Sequence, residues 1–225
     1  MFDRIAAIFI DLDGTLVDSV PDLTVAVDRV MAELGLSPRG ETNVRQWVGN
    51  GVEKLLHRAI SNDIHGQAPA DLMIRARSLF DTAYRDNLCV HSCLYPGVKE
   101  GLDALSGRQL RLACITNKPT GFARTLLFEL GIGDKFAVIV GGDAVANHKP
   151  APDGLHLCAQ QLGVNIEHSL MVGDSVNDVA AARNAGCPVV CVPYGYNHGR
   201  DIREAKPDAV IDTLADLGGL LQKAA

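Results

Sequence analysis

Two aspartates, Asp11 and Asp13, stand one residue apart at the end of an apolar run in the stretch "FIDLDGTLVDS". Two carboxylates at this spacing repel each other, so we expect compensating positive charge to come from elsewhere in the chain. One carboxylate can attack a phosphoryl group and form an acyl phosphate, and a second can act as general acid and base. Because Gly14 permits a sharp turn, we expect Asp13 to face the same cavity as Asp11.

Further polar residues follow the later apolar runs. Thr116 and Asn117 come after the second run, Lys149 precedes a helical segment after the third, and Asp174 and Asp178 come after the fourth. In a parallel α/β sheet, ligands bind at the carboxyl ends of the strands, so these groups are expected to converge. Converging carboxylates suit Mg²⁺, a hard cation that prefers oxygen ligands. Mg²⁺ and Lys149 together would offset the repulsion between an attacking carboxylate and a phosphate dianion, and Thr116 would donate to phosphoryl oxygens.

Six apolar runs are nearly continuous rather than alternating, which is typical of strands buried on both faces of a parallel sheet. These runs span 4–10, 110–116, 136–140, 169–173, 188–192 and 208–211. Amphipathic segments of helical length lie between the later runs, and each ends at a glycine. These segments span 120–130, 153–162 and 176–185. The alternation predicts a doubly wound, Rossmann-like α/β sheet.

A different pattern begins after the first strand. Apolar residues recur at helical spacing over 20–34, and further helices are expected at about 51–60 and 69–86, with no strong strand between them. The pattern predicts an all-helical domain over 19–91, inserted into an α/β domain made of 1–18 and 92–225.

Within this predicted insertion, Gly49 and Gly51 flank the start of a helix, whose free N–H groups could bind a carboxylate. Lys54 lies one turn into that helix, and Arg45 lies shortly before it. We therefore expect Arg45 and Lys54 to contribute to binding an anionic substrate.

The composition excludes some classes of protein. The chain of 225 residues carries a net charge of −6 and no basic run, which argues against a nucleic-acid or membrane-surface partner. No window approaches the roughly 20 apolar residues of a membrane-spanning helix, and the start of the chain does not resemble a signal peptide, so a cytoplasmic location is expected. The six cysteines are expected to be buried, reduced thiols. The sequence does not predict an oligomeric state.

The polar clusters also resemble the haloacid dehalogenase-like superfamily of phosphohydrolases, which has four sequence motifs. The matching segments are "DLDGTLVDS" (11–19), "ITN" (115–117), "HKPAPD" (148–153) and "GDSVND" (173–178). The resemblance implies that Asp11 is the nucleophile and that Asp13 is the general acid and base. It further implies that Thr116 and Lys149 hold the transferring phosphoryl group.

The same resemblance implies a ligand set for Mg²⁺. The ion would be bound by the side chain of Asp11, the carbonyl of Asp13 and the side chain of Asp174, with Asp178 supporting them from nearby. The helical insertion after the first motif resembles the helical cap of this family. Three further segments resemble a bacterial subgroup that hydrolyses 2-phosphoglycolate, which makes this small anionic ester the expected substrate. These segments are 47–59, 87–105 and 194–199.

Other activities remain open from the sequence. A phosphatase for another small phosphate ester, or a sugar phosphomutase of the β-phosphoglucomutase type, would share the four motifs and a helical cap. A receiver-like signalling module also uses an aspartate, Mg²⁺, a threonine and a lysine on a parallel sheet. Receivers, however, are phosphorylated on an aspartate after a later strand, and they are shorter.

Overall fold

The computed structural model of the chain describes residues 2–108 and 110–221. Most of its strands follow one another in a single parallel sheet. The strands are β1 (Ala7–Ile10), β2 (Val17–Asp18), β3 (Cys93–Leu94), β4 (Arg111–Ile115), β5 (Val138–Val140), β6 (Ser169–Gly173), β7 (Val189–Cys191) and β8 (Ala209–Val210). The sheet has the order β5-β4-β1-β6-β7-β8, and every pair in it is parallel. Each of the six predicted strands is confirmed: β6 has the predicted bounds, and the other five are shortened by one or more residues at their ends.

The helices follow the strands in the way that the sequence predicts. They are α1 (Val20–Glu33), α2 (Gly40–Trp47), α3 (Gly51–Ser61), α4 (Ala70–Asp86), α5 (Val98–Ser106), α6 (Thr120–Glu129), α7 (Asp153–Leu162) and α8 (Val176–Ala185). The six predicted helices are present within a residue or so of their expected bounds. Helices α2 and α5 and the short antiparallel pair of β2 with β3 were not predicted.

The sheet is buried on both faces, as continuous apolar strands require. In β1, Ile8 and Ile10 belong to one apolar cluster, whereas Ala7 and Phe9 belong to another, because successive side chains of a strand point to opposite faces. Helices α5 and α6 contribute to the first cluster, and α7 and α8 contribute to the second. The fold is therefore the expected doubly wound α/β sheet.

Helices α1 to α4 pack against one another and join the first apolar cluster. Phe80 and Tyr84 of α4 are fully buried in this unit, and their rings stack with centroids 5.4 Å apart. Two short chain connections join this helical unit to the sheet, one through β2 and one through β3. These two strands pair with each other. In the described part of the chain, no helix has the length and apolar character needed to span a membrane.

All six cysteines are free thiols, as expected, but the prediction that all are buried is wrong for two of them. Cys93 is exposed and Cys89 is half-buried. Both lie in or just before β3, and this two-stranded ribbon is too narrow to cover both of its own faces. The other four thiols are buried in or beside the sheet.

Candidate active site

The first aspartate occupies the carboxyl end of the central strand β1. Asp11 is 8% exposed, and its backbone N–H donates to the carbonyl of Val172 on β6, which extends the sheet by one residue. Its Oδ1 accepts a hydrogen bond of 2.7 Å from the N–H of Leu12 and lies 2.8 Å from Nζ of Lys149. Within the described residues, Oδ2 of Asp11 has no hydrogen bond. This oxygen is therefore available as a nucleophile or metal ligand.

The predicted sharp turn brings Asp13 to the same cavity. Gly14 has φ +93°, a conformation that favours glycine, and a Cβ added there would lie 2.4 Å from Oδ2 of Asp174. Asp13 lines the cavity together with Asp11. Its two carboxylate oxygens lie 2.6 and 2.8 Å from Nζ of Lys118, and one of them also accepts from the hydroxyl of Ser19.

The residues after β4 also reach the cavity. The hydroxyl oxygen of Thr116 accepts from the backbone N–H of Lys118 at 3.1 Å, so its hydrogen can donate to a bound group. The Asn117 amide makes two bonds with the backbone of Lys149, accepting at 2.9 Å and donating at 3.0 Å, and donates to the carbonyl of Gly49 at 3.0 Å. Asn117 lines the cavity, and its side chain fixes the position of Lys149.

Two carboxylates from the end of β6 complete the acidic cluster. Asp11, Asp174 and Asp178 each place an oxygen within 4.8 Å of the others, close enough to share one metal ion. Asp174 accepts from the hydroxyl of Thr15 at 2.7 Å and from the N–H of Tyr196 at 2.6 Å. These two bonds come from different loops and hold the carboxylate in place.

Asp178 is more fully engaged than Asp174. One oxygen lies 2.7 Å from Nζ of Lys149, and the other accepts from the N–H and hydroxyl of Ser175 in a capping box at the start of α8. Both oxygens are thus used in positioning protein groups. This geometry suits the supporting role that the sequence assigns to Asp178.

The carboxylates of the cavity outnumber its ammonium groups, and this imbalance favours binding of a cation. Burial raises the pKa of Asp11 to about 7, although Lys149 opposes the rise, and burial with the charges of Asp178 and Asp11 raises the pKa of Asp174 well above its usual range. Burial alone would lower the pKa of Lys149, but Asp11 and Asp178 outweigh it and keep the ammonium charged. Four carboxylates, with Asp13, stand against two ammonium groups. A divalent cation would neutralise the difference, and oxygen donors are the ligands that Mg²⁺ prefers.

The helical unit covers this end of the sheet. The carbonyl of Gly49, in the α2–α3 loop, accepts from Asn117 and, at 3.4 Å, from Asn177. The cavity between the helices and the sheet has a volume of about 40 Å³ that is accessible to water. Its apolar walls come from both parts of the fold: Leu23, Val48, Val52, Leu55 and Phe122. A cavity of this size favours a small ligand.

Arg45 and Lys54 lie outside the set of residues that line this cavity. The guanidinium of Arg45 lies 2.7 Å from Glu41 and 3.3 Å from Asp18, and it stacks over the ring of Tyr196. Lys54 lines a neighbouring surface groove. Gly49 and Gly51 do line the cavity, so the start of α3 faces the site as expected.

Two cavity residues were not singled out from the sequence. Lys118 follows Thr116 and Asn117 directly, and its place at the end of β4 was a usable signal. Tyr84 lies on α4, more than 60 residues from the first motif, and the sequence predicted only a helix there. The structure brings both side chains to the cavity beside Asp13.

Comparisons with known proteins agree with this geometry. A family model described as haloacid dehalogenase-like hydrolase matches residues 5–186. A phosphoglycolate phosphatase of Nitrosococcus oceani is 50% identical over 218 residues, a match covering 97% of each chain. A phosphoglycolate phosphatase of Nitrosospira multiformis is 42% identical over 219 residues, covering 97% of this chain and 96% of its own.

A solved structure extends the likeness to three dimensions. The crystal structure of a predicted phosphoglycolate phosphatase from Haemophilus somnus 129pt superposes with a TM-score of 0.91 at 36% identity. The superposition covers 96% of this chain and 98% of the other. The described geometry, the family model and relatives that match over nearly the whole chain lead to one assignment. This chain belongs to the haloacid dehalogenase-like hydrolases.

Proposed function

We propose that the protein is a Mg²⁺-dependent phosphatase that hydrolyses 2-phosphoglycolate to glycolate and inorganic phosphate through an aspartyl-phosphate. One observation carries the proposal: Oδ2 of Asp11 has no hydrogen bond within residues 2–108 and 110–221, whereas its Oδ1 is held 2.8 Å from Lys149. Asp13, Thr116 and Lys149 line the same cavity. The arrangement supplies a nucleophile, a proton carrier and donors for phosphoryl oxygens within one enclosed space.

The reaction would proceed in two displacements on phosphorus. Asp11 attacks the phosphoryl group, the bond from phosphorus to the ester oxygen breaks, and Asp13 gives its proton to the departing alkoxide. Asp13 then takes a proton from water, and the resulting hydroxide attacks the aspartyl-phosphate. Inorganic phosphate leaves, and Asp11 and protonated Asp13 are regenerated. Thr116 and Lys149 hold the phosphoryl oxygens during both steps.

Mg²⁺ would be held by the side chains of Asp11 and Asp174 and by the carbonyl of Asp13, with Asp178 orienting its neighbours. When bound, it neutralises negative charge in a site where four carboxylates face two ammonium groups, as shown above. Glycines pack closely against the Asp174 carboxylate: a Cβ at Gly195 would lie 2.3 Å from its Oδ2. The protein is therefore tightly packed around this proposed ligand.

Mg²⁺ should therefore stabilise the folded protein. At a concentration 100 times its dissociation constant, the ion is expected to add about 2.7 kcal/mol to the free energy of unfolding. Asp174→Asn should abolish most of this gain, whereas Asp212→Asn, at an exposed position, should retain it. Thermal unfolding with Mg²⁺ or with EDTA measures the effect. An equal gain in wild type and Asp174→Asn would contradict the proposed ligand set.

The substrate proposal rests on the small cavity and on relatives named phosphoglycolate phosphatase. We expect kcat/KM for 2-phosphoglycolate to exceed that for glycerol 3-phosphate, ethanolamine phosphate and glucose 6-phosphate by at least about tenfold. Release of inorganic phosphate across this panel tests the proposal. A clear preference for another ester would keep the phosphatase reaction and replace the substrate.

Incubation with β-glucose 1-phosphate distinguishes a phosphatase from a phosphomutase. We expect slow release of inorganic phosphate, because a mutase must return the phosphoryl group to the sugar within a larger cavity. Accumulation of glucose 6-phosphate would contradict the phosphatase proposal.

For a receiver-like module, the candidate aspartate after a later strand is Asp143, but its carboxylate accepts from the N–H of Thr120 at 2.7 Å and caps the start of α6. Repeated turnover on a phosphate ester would exclude that alternative.

We further propose that residues 19–91 act as a cap over the core formed by 1–18 and 92–225. Its contacts with the core at the cavity include the bonds from Asn117 and Asn177 to the carbonyl of Gly49. An enclosed site controls when water reaches the aspartyl-phosphate, and opening of the cap would then release the products.

A further inference from the structure

A lysine and a tyrosine stand side by side at the cavity without a role in the two displacements. Lys118 has a side chain that is 4% exposed, and its Nζ lies 5.1 Å from the centroid of the Tyr84 ring. Tyr84 comes from α4, so the pair joins the sheet with the helical unit. Both residues line the cavity.

The hydroxyl of Tyr84 is buried and makes no hydrogen bond within the described part of the chain. A buried hydroxyl without a partner destabilises the folded protein, so a ligand that accepts from it would remove that cost. Burial raises the pKa of Tyr84 to about 12, with Lys118 opposing the rise, so the hydroxyl keeps its proton and can donate. The ring is fixed between Phe80, which stacks on it, and Phe122, which meets it edge-on at 5.1 Å. The ring thus stays at the cavity wall, and among the described residues its hydroxyl has no acceptor.

Lys118 also has donor capacity to spare. An ammonium carries three N–H donors, and in the described structure its hydrogen-bond acceptors are the two oxygens of Asp13. Among the described residues, the cationic side chains that line the cavity are those of Lys149 and Lys118. Lys149 is already held between Asp11 and Asp178 at 2.8 and 2.7 Å. Lys118 is therefore the cation best placed to meet a second anionic group of a ligand.

We propose that Lys118 and the Tyr84 hydroxyl form the subsite that binds the carboxylate of the substrate's leaving group. The inference rests on the proposed function and identifies the residues that select its substrate class: small phosphate esters with a carboxylate one carbon from the ester oxygen. Asp13 must reach the ester oxygen to protonate it, and Lys118 lies 2.6 Å from Asp13. A carboxylate one carbon beyond that oxygen falls beside Lys118 and Tyr84. Tyr84 belongs to the helical unit and Lys118 to the sheet, so the carboxylate would be bound from both sides of the cavity.

The test compares 2-phosphoglycolate with 2-hydroxyethyl phosphate, in which a hydroxymethyl group replaces the carboxylate. Tyr84→Phe removes one hydroxyl that has no hydrogen-bond partner in the part of the chain that the structure describes, so the fold should tolerate it. We expect kcat/KM for 2-phosphoglycolate to fall about tenfold more than for 2-hydroxyethyl phosphate, mainly through KM. Lys118→Met should show a selective loss of about 100-fold, in addition to a loss on both esters because Asp13 loses its partner.

The chain offers matched controls. Tyr95 carries another buried hydroxyl without a hydrogen bond in the described residues, but it does not line the cavity. Tyr95→Phe should leave the ratio of the two kcat/KM values unchanged. Lys54→Met removes a cation near the start of α3 and should also leave this ratio unchanged.

The outcomes separate the two proposals. If wild type shows no preference for 2-phosphoglycolate over other esters, the proposed function is wrong. If wild type has that preference but Tyr84→Phe and Lys118→Met lower both esters equally, the subsite is wrong and the function stands. A selective loss with Lys54→Met and none with Tyr84→Phe would also overturn the subsite, by moving carboxylate binding to the start of α3.

Discussion

Replacing Asp11 with asparagine is expected to lower kcat for 2-phosphoglycolate by more than about a thousandfold. The amide cannot form an acyl phosphate, whereas its size matches the carboxylate and its Oδ1 can still accept from the N–H of Leu12. Steady-state release of inorganic phosphate measures the loss. Turnover within about tenfold of wild type would contradict a nucleophilic role for Asp11.

The loss should not come from unfolding. Burial raises the pKa of Asp11 in the folded protein to about 7 from an ordinary value of 3.8, so its ionisation opposes folding progressively as pH rises between these values. At pH 8, in EDTA, the neutral asparagine removes this unfavourable contribution. Lys149 keeps Asp178 and the carbonyl of Ile115 as partners. We therefore expect Asp11→Asn to unfold at the same temperature as wild type or at a higher one.

Chemical trapping tests the same residue in the wild-type protein. An acyl phosphate is reduced by borohydride to an alcohol, so quenching during turnover should convert Asp11 into homoserine. Mass spectrometry of the peptide that contains residue 11 detects this change. Asp11→Asn, treated in parallel, should give no such product. Homoserine at position 13 instead would exchange the roles assigned to Asp11 and Asp13.

The sheet was predictable because its strands carry a strong, local signal. β1, β4 and β6 are continuous apolar runs, and burial on both faces requires such runs wherever helices cover both sides. β2 and β3 were missed because each has two residues, too few to show a period. Their pairing depends on contacts more than 70 residues apart. Helix α2 was missed because its two buried side chains, Val44 and Trp47, are too few for an amphipathic pattern.

The convergence of the polar residues at the strand ends was predictable for a related reason. Asp11, Thr116 and Asp174 each follow a strand directly, and parallel topology brings such positions together whatever the rest of the chain does. Lys118 and Tyr84 could not be assigned in the same way. Their meeting depends on how α4 packs over the sheet, and no local pattern in either segment encodes it. The proposed carboxylate subsite is therefore the part of the site that most requires the structure.

The second large effect concerns a residue outside the cavity. Asp22, in the first turn of α1, is fully buried and accepts hydrogen bonds from the segment that returns from α4 to β3. Its donors are the Asn87 side chain, the backbone N–H groups of Val90, His91 and Ser92, and the Ser92 hydroxyl, at 2.7–3.1 Å. This return segment has no helix or strand to satisfy its N–H groups, so the carboxylate takes that role.

Asp22→Ala is expected to lower the free energy of unfolding by about 3–5 kcal/mol. The change leaves several buried donors without an acceptor, and each such group costs far more than the net value of one hydrogen bond. The total stability of a domain is about 5–15 kcal/mol, so the variant should unfold at a temperature roughly 10 °C lower. The free energy of unfolding of Asp22→Asn should lie between the values for wild type and Asp22→Ala. Asparagine retains one acceptor oxygen but places an amide N–H₂ against N–H donors.

Asp28 provides the matched control on the same helix. Its half-buried carboxylate accepts from the N–H groups of Arg39 and Gly40 at 2.7 and 3.3 Å, where water can replace it. Asp28→Ala should therefore cost about 1 kcal/mol in urea unfolding. If Asp22→Ala lowered the free energy of unfolding by no more than Asp28→Ala, the return segment would have found other acceptors. Asp22 would then not be the group that holds this segment to α1. A large loss at Asp22 alone would show that the connection between helical unit and sheet depends on this single buried carboxylate.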